Sequence, residues 1–155
     1  VWKNKYPYLS SVKDFDKKNP KFRWQKKFST NELKNLFPKI GGLKNIEILN
    51  ITSTGRVKNV KLIGAYGSYQ MSGVDLRKKL GLKSNFVRFK FFEEPLHNKF
   101  PIKKDLIVFG QGSGHGVGMS QWGAKYMASK GHKAEKILKY FYRGVQIKPY
   151  KEEYL

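Results

Sequence analysis

Every second residue from Gly110 to Gly118 is glycine, five in nine, and neither a helix nor a strand interior keeps that pattern without losing stability. The run is flanked by Leu106-Ile107-Val108-Phe109, which reads as a short buried strand. After it, Met119 to Ser129 carries Met119, Trp122, Tyr126 and Met127 at helical spacing, ended by Gly131. The chain must therefore run from a strand through an open glycine loop into a helix. Glycines at 110, 112, 114, 116 and 118 permit positive φ and close approach of a backbone or ligand. The N–H groups at the start of the following helix favour an oxygen-rich or anionic group.

The rest of the sequence supplies the scaffold. Residues 1–27 read as an irregular basic and aromatic segment. Ser29 or Thr30 caps a short helix with Glu32 in its first turn and Leu33, Leu36 and Phe37 on its apolar face, stopped by Pro38. Ile46 to Thr52 and Val57 to Ile63 bracket a Ser-Thr-Gly turn, which predicts a hairpin, and Tyr66 to Met71 predicts another strand. Val74 to Leu80 suits a helix closed by Gly81. Phe86 to Phe92 reads as a strand with both faces largely covered. Ala134 to Tyr142 is a second late helix, with Ile137, Leu138 and Phe141 inward and Gly144 as its stop. The expectation is one α+β domain over 1–155, or a large piece of one: a mainly antiparallel sheet with short helices, and a C-terminal helical pair after the glycine-rich loop.

Lys and Arg total 32 against 11 acids, a net charge of +21. That field attracts polyanions without naming one; nucleic acid and an anionic cell wall both fit. With 39% hydrophobic and 15% aromatic residues the chain is too apolar for a disordered basic tail. It contains no cysteine, which excludes disulfides and thiolate metal sites. No run of about 18 apolar residues is present to span a membrane. Val1-Trp2-Lys3-Asn4 is neither a start methionine nor an apolar leader, so a processed chain or a piece of a longer one is expected.

The nucleotide-binding patterns fail on the glycine run. No Gly-Lys-Ser/Thr closes it, and no acidic residue stands about 20 positions on to hold a ribose. What it offers is His115 inside the loop, Ser120 and Gln121 as uncharged donors and acceptors, and the flat ring of Trp122. Polar groups beside an aromatic platform suit a carbohydrate. Each residue also has a plainer reading: His115 as a loop-ordering histidine, Ser120 and Gln121 as helix-start caps, and Trp122 as core. Gly114 and Gly116 are the backbone positions where a ligand could come closest. Arg77 either contacts an acidic group or pairs with Asp75. His97 and His132 read as surface residues, and three histidines without metal-ligand spacing give no reason to expect a metal or other cofactor.

The run Gly110-Gln111-Gly112-Ser113-Gly114-His115-Gly116-Val117-Gly118-Met119-Ser120-Gln121-Trp122-Gly123-Ala124 resembles the hallmark of the SpoIID/LytB family (stage II sporulation protein D and amidase-enhancer proteins). Tyr6-Pro7-Tyr8-Leu9, Gly55-Arg56-Val57, the stretch from Gly73 to Phe86, and Met127-Ala128 through Gly131, Ile137-Leu138, Tyr140 to Tyr142 and Gly144 resemble further family segments in the same order.

The resemblance implies binding and cleavage of peptidoglycan glycan strands as part of a lytic transglycosylase. It also implies a catalytic glutamate in a segment upstream of Val1, so no residue here is assigned as catalytic. Asp75, Glu93 and Glu94 are the local acids weighed and set aside. The implied alternative is a non-catalytic wall-binding or amidase-enhancing module; the alternative of another class is a basic nucleic-acid binder, which the glycine-histidine motif disfavours. The implied partners are glycan strands, a separated N-terminal fragment of the same protein, or a cell-wall amidase. The implied location is extracytoplasmic, in the cell envelope, with the full-length protein secreted or membrane-anchored.

Overall fold

A computed structural model describes residues 6–15, 19, 22–94 and 103–149. The chain forms two compact units, one from 20–115 and one from 1–19 with 116–155. Among the described residues the architecture is α+β, with two antiparallel three-stranded sheets and four short helices.

In the first unit, β1 (Arg23–Phe28), β6 (Lys103–Gln111) and β5 (Val87–Glu94) form one sheet in the order β1-β6-β5. The second sheet runs β2 (Asn45–Ile51), β3 (Val57–Ile63), β4 (Ser68–Ser72). The hairpin expected around Gly55 is the β2–β3 pair. It has register shifts beside Asn50, and the Asn59 amide donates to Asn50 Oδ1 at 3.1 Å. α1 (Thr30–Leu36) starts where the sequence places it. Ser29 Oγ accepts from the Glu32 N–H at 3.3 Å while Glu32 Oε2 accepts from the Ser29 N–H at 2.8 Å, a reciprocal capping box worth about 1 kcal/mol.

α2 (Gly73–Lys79) is capped by Ser72, and Gly81 takes φ 57 just beyond it. Leu33 of α1 and its C-cap Phe37, Leu76 of α2 and its C-cap Leu80, and Val60, Leu62, Leu106 and Val108 from the sheets share one core. Each such fully buried side chain contributes about 1.5–3 kcal/mol.

Three expectations are corrected here. The segment through residue 27 is not irregular throughout, because Arg23–Phe28 is β1, paired in register from Arg23↔Gln111 to Phe28↔Leu106. β6 is nine residues long rather than a short buried run, and Phe109 points out of it, 42% exposed. β5 covers only one face: Val87 is buried and Phe89 and Phe91 pack on the core, while Arg88, Lys90 and Phe92 face outward. On that outer face the Lys90 ammonium lies 4.7 Å from the Phe92 ring centroid, so the aromatic is used by a cation rather than by core packing.

In the second unit, α3 (Gln121–Ser129) and α4 (Ala134–Phe141) pack with residues 6–15. Met127, Ile137 and Phe141 are its buried centre, and Phe15 stacks on Tyr126 with ring centroids 5.1 Å apart. Tyr140 Oη donates to the Lys13 carbonyl at 2.6 Å, which ties the early segment to α4. α3 begins two residues later than Met119, and the side it buries is centred on Gly123 and Met127. Trp122 is 39% exposed, against the sequence expectation of a shared face. The reason is Gly123: a Cβ there would fall on Asp14 Oδ1 and 2.9 Å from Phe141 Cζ, so the helix docks by its glycine side and turns the indole out.

Among the described residues no helix is long and apolar enough to cross a membrane.

Candidate functional site

The glycine motif is built in two halves, since the boundary between the units falls between His115 and Gly116. In the first half, the strand end is clamped from three directions. The Trp24 indole N–H donates to the Gly112 carbonyl at 2.8 Å, Ser84 Oγ donates to the Gln111 carbonyl at 2.6 Å, and the Gly112 N–H donates to the Phe22 carbonyl at 2.6 Å. Gly110 stays in strand geometry and is glycine for room: a Cβ would land on the Trp24 ring. Gly112 and Gly114 then take φ 64 and 83, where an L side chain is strained. The Gly114 N–H donates to the Lys83 carbonyl at 2.8 Å, which leaves His115 exposed at the end of a loop fixed by backbone bonds.

In the second half, Gly116 and Gly118 take φ 71 and 81, and the Met119 N–H donates to Tyr142 Oη at 3.2 Å. Ser120 is the N-cap of α3, its Oγ accepting from the Gly123 N–H at 3.1 Å. Ser120 therefore spends its hydroxyl as a cap. Gln121 and Trp122 follow it with both side chains exposed, and the Lys125 ammonium sits 5.1 Å from the Trp122 ring centroid. An amide, an open indole and a cation thus share the first turn and a half of one helix, a set able to take hydroxyls, an acetamide and the C–H side of a sugar ring.

Arg77 does not pair with Asp75. Its Nε donates to the Leu82 carbonyl at 3.2 Å, bracing the turn that precedes Lys83, whereas Asp75 Oδ2 accepts from Ser72 Oγ at 2.6 Å. The other acids weighed are also engaged or undescribed. Glu93 pairs with Lys104 at 2.9 Å, and the Glu94 side chain lies outside the described residues. His97 does too; His132 is half-buried. Among the described residues no group of three or more His, Asp or Glu could hold a metal ion.

Sequence reasoning missed Trp24, Ser84 and Tyr142, side chains among the described residues that hold the motif's backbone. Ser84 is fully buried, and Asn85 beside it donates to the Val57 carbonyl at 3.1 Å while accepting from Arg56 at 3.4 Å. The only signal in the sequence was that Gly55-Arg56-Val57 and Ser84-Asn85-Phe86 both sit in stretches resembling the same family; the structure makes them neighbours.

Comparison with known proteins finds relatives over most of the chain. A family model described as "Domain of unknown function (DUF8618)" matches residues 2–118. Stage II sporulation protein D of Bacillus subtilis (strain 168) is 34% identical over 148 residues, covering 94% of this chain and 39% of the relative. The chain belongs to this family, a SpoIID/LytB-like one. Stage II sporulation protein D of Bacillus amyloliquefaciens is likewise 34% identical over 148 residues. An amidase enhancer of Bacillus subtilis (strain 168) is 30% identical over 132 residues, 72% of this chain and 17% of that protein. The SpoIID/LytB-like chain thus spans about two fifths of the sporulation proteins it matches.

Proposed function

We propose that this chain is part of a cell-wall protein and binds peptidoglycan glycan strands through the glycine motif, within a longer lytic transglycosylase whose catalytic acid lies outside these residues. The observation that carries the reading is the start of α3, where Gln121 and the exposed Trp122 ring, with Lys125 over it, follow a serine cap, in a chain 34% identical to a sporulation protein and 30% identical to an amidase enhancer. An indole left open on a nine-residue helix contributes little to folding and suits a sugar face. His115, exposed on the loop that ends the unit of 20–115, is by itself a further candidate donor or acceptor for glycan. The net charge of +21 suits attraction to an anionic wall, which supports reading this as a cell-envelope protein.

The test is cosedimentation with purified glycan strands stripped of stem peptides. Trp122→Ala and Gln121→Ala are expected to weaken binding about tenfold each while the melting temperature stays unchanged, since both side chains are exposed. Retained binding in both variants would sink the reading. Duplex DNA competing as well as glycan, with steep salt dependence, would replace it by charge-driven nucleic-acid binding.

A further inference from the structure

Tyr66 is 83% exposed, the most open of the large apolar side chains described, yet the backbone around it is tightly tied. The Tyr66 N–H donates to the Ile40 carbonyl at 3.0 Å, and the Gly64 N–H donates to the Gly67 carbonyl at 2.9 Å. Gly64 has no room for a Cβ because the Ile40 and Gly42 carbonyls occupy its place. Gly41, at φ 69, backs the ring: a Cβ there would lie 2.7 Å from Tyr66 Cδ2 and 2.8 Å from Cε2. The turn between β3 and β4 is thus locked to the 3-10 turn Pro38–Ile40, and the aromatic ring lies open to solvent against the Gly41 backbone. A side chain left open by accident would not need that support.

Beside the ring lies a cleft of about 590 Å³. Lys39 from the 3-10 turn and Lys79 from the end of α2 line it, and the Lys79 ammonium is steadied 5.3 Å from the Phe37 ring centroid. Ser68 and Tyr69 add hydroxyls. The Tyr69 hydroxyl is a protonated donor at neutral pH, as any tyrosine of ordinary pKa is, and burial shifts its pKa further upward. Among the described residues no carboxylate lines the cleft. Two cations without an acid favour an oxyanion, and an exposed tyrosine ring favours a flat, partly apolar body attached to it.

We propose that this cleft binds an anionic sugar, its ring against Tyr66 and its carboxylate or phosphate held by Lys39 and Lys79. The site stands apart from the glycine-motif reading, because every residue in it lies between 39 and 79 and none in the motif.

The experiment is an amide NMR titration of the whole chain with N-acetylmuramic acid, N-acetylglucosamine 1-phosphate, neutral N-acetylglucosamine and acetate. At least one acidic sugar is expected to shift the Gly67 and Ser68 amides saturably, about tenfold more tightly than neutral sugar or acetate. The tighter of the two acidic sugars identifies carboxylate or phosphate as the recognised group. Tyr66→Ala, and Lys39→Gln with Lys79→Gln, are each expected to weaken that binding about tenfold without lowering the melting temperature, as all three side chains are exposed. Equal shifts with acetate would reduce the effect to general attraction by a +21 chain and overturn the proposal. So would an affinity indifferent to Tyr66→Ala, or no shifts at all. Trp122→Ala must leave these shifts intact, so failure here and failure of the glycan reading are read separately.

Discussion

At Gly110 a Cβ would fall onto the Trp24 indole, whereas at Gly114 it would meet nothing within 4 Å among the described residues. Four positions apart in one motif, the two glycines answer different demands. Gly110 lies in β6 and is small so that an indole can cover the strand and reach the Gly112 carbonyl. Gly114 sits at φ 83 with open space where a Cβ would lie, and is glycine for its backbone alone. The strand end of the motif is therefore packed like a core, while the stretch beyond it is shaped like a turn and left open. A repeat that looks uniform in sequence is not uniform physically.

The largest expected effect breaks the packed end. Gly110→Ala should cost about 3 kcal/mol in urea unfolding, because the Trp24 ring cannot retreat without giving up its hydrogen bond. Adding Trp24→Ala should recover part of that loss, and strictly additive costs would refute the steric account.

A smaller effect tests the open end. Gly114→Ala should cost about 1–2 kcal/mol from left-handed strain, and Gly114→Asn noticeably less. A loss at 114 equal to that at 110 would erase the distinction.

The smallest effect compares the cap that opens α3 with the one that opens α1. Ser120→Ala should cost about 1 kcal/mol at every pH, because α3 has no acid in its first turn. The α1 box depends on ionised Glu32, whose pKa lies below the ordinary 4.5 through the backbone and side-chain hydrogen bonds from Ser29. A lowered carboxyl stabilises above 4.5 and loses that contribution as pH falls through its folded value. The melting curves of wild type and Glu32→Gln should therefore converge in acid. A gap that persisted there would show that Glu32 acts by shape rather than charge.

Much of the fold was legible because its signals are local. Ser29 with Glu32, Pro38, and Gly81 mark ends of helices and turns by chemistry that needs no tertiary context. β1 was hidden because Lys26 stands where alternation calls for an apolar residue, opposite Val108 on the core side. Its ammonium escapes to the Leu80 carbonyl at 2.8 Å, at the end of α2, a partner 54 residues away.

The second face of β5 was misread because phenylalanine at Phe92 looks the same in sequence whether a core or a lysine covers it. For the candidate site, the motif itself was visible but its supports were not. Trp24 and Tyr142 reach it from 88 and 23 residues away, and only the folded chain pairs them. Tyr66 read as the start of a strand; what makes it distinctive is glycine packing behind it, which no periodicity encodes.

The two described tryptophans also give the molecule a built-in optical readout. Trp24 is half-buried and hydrogen-bonded in the unit of 20–115, while Trp122 is exposed in the unit of 1–19 with 116–155. With Trp2 replaced by phenylalanine, emission from the first should be bluer and shielded from iodide, and emission from the second redder and readily quenched. Because the two colours originate in different units, a single heating ramp can report whether the sheets and the helical pair melt together or in turn, without attaching a label to either.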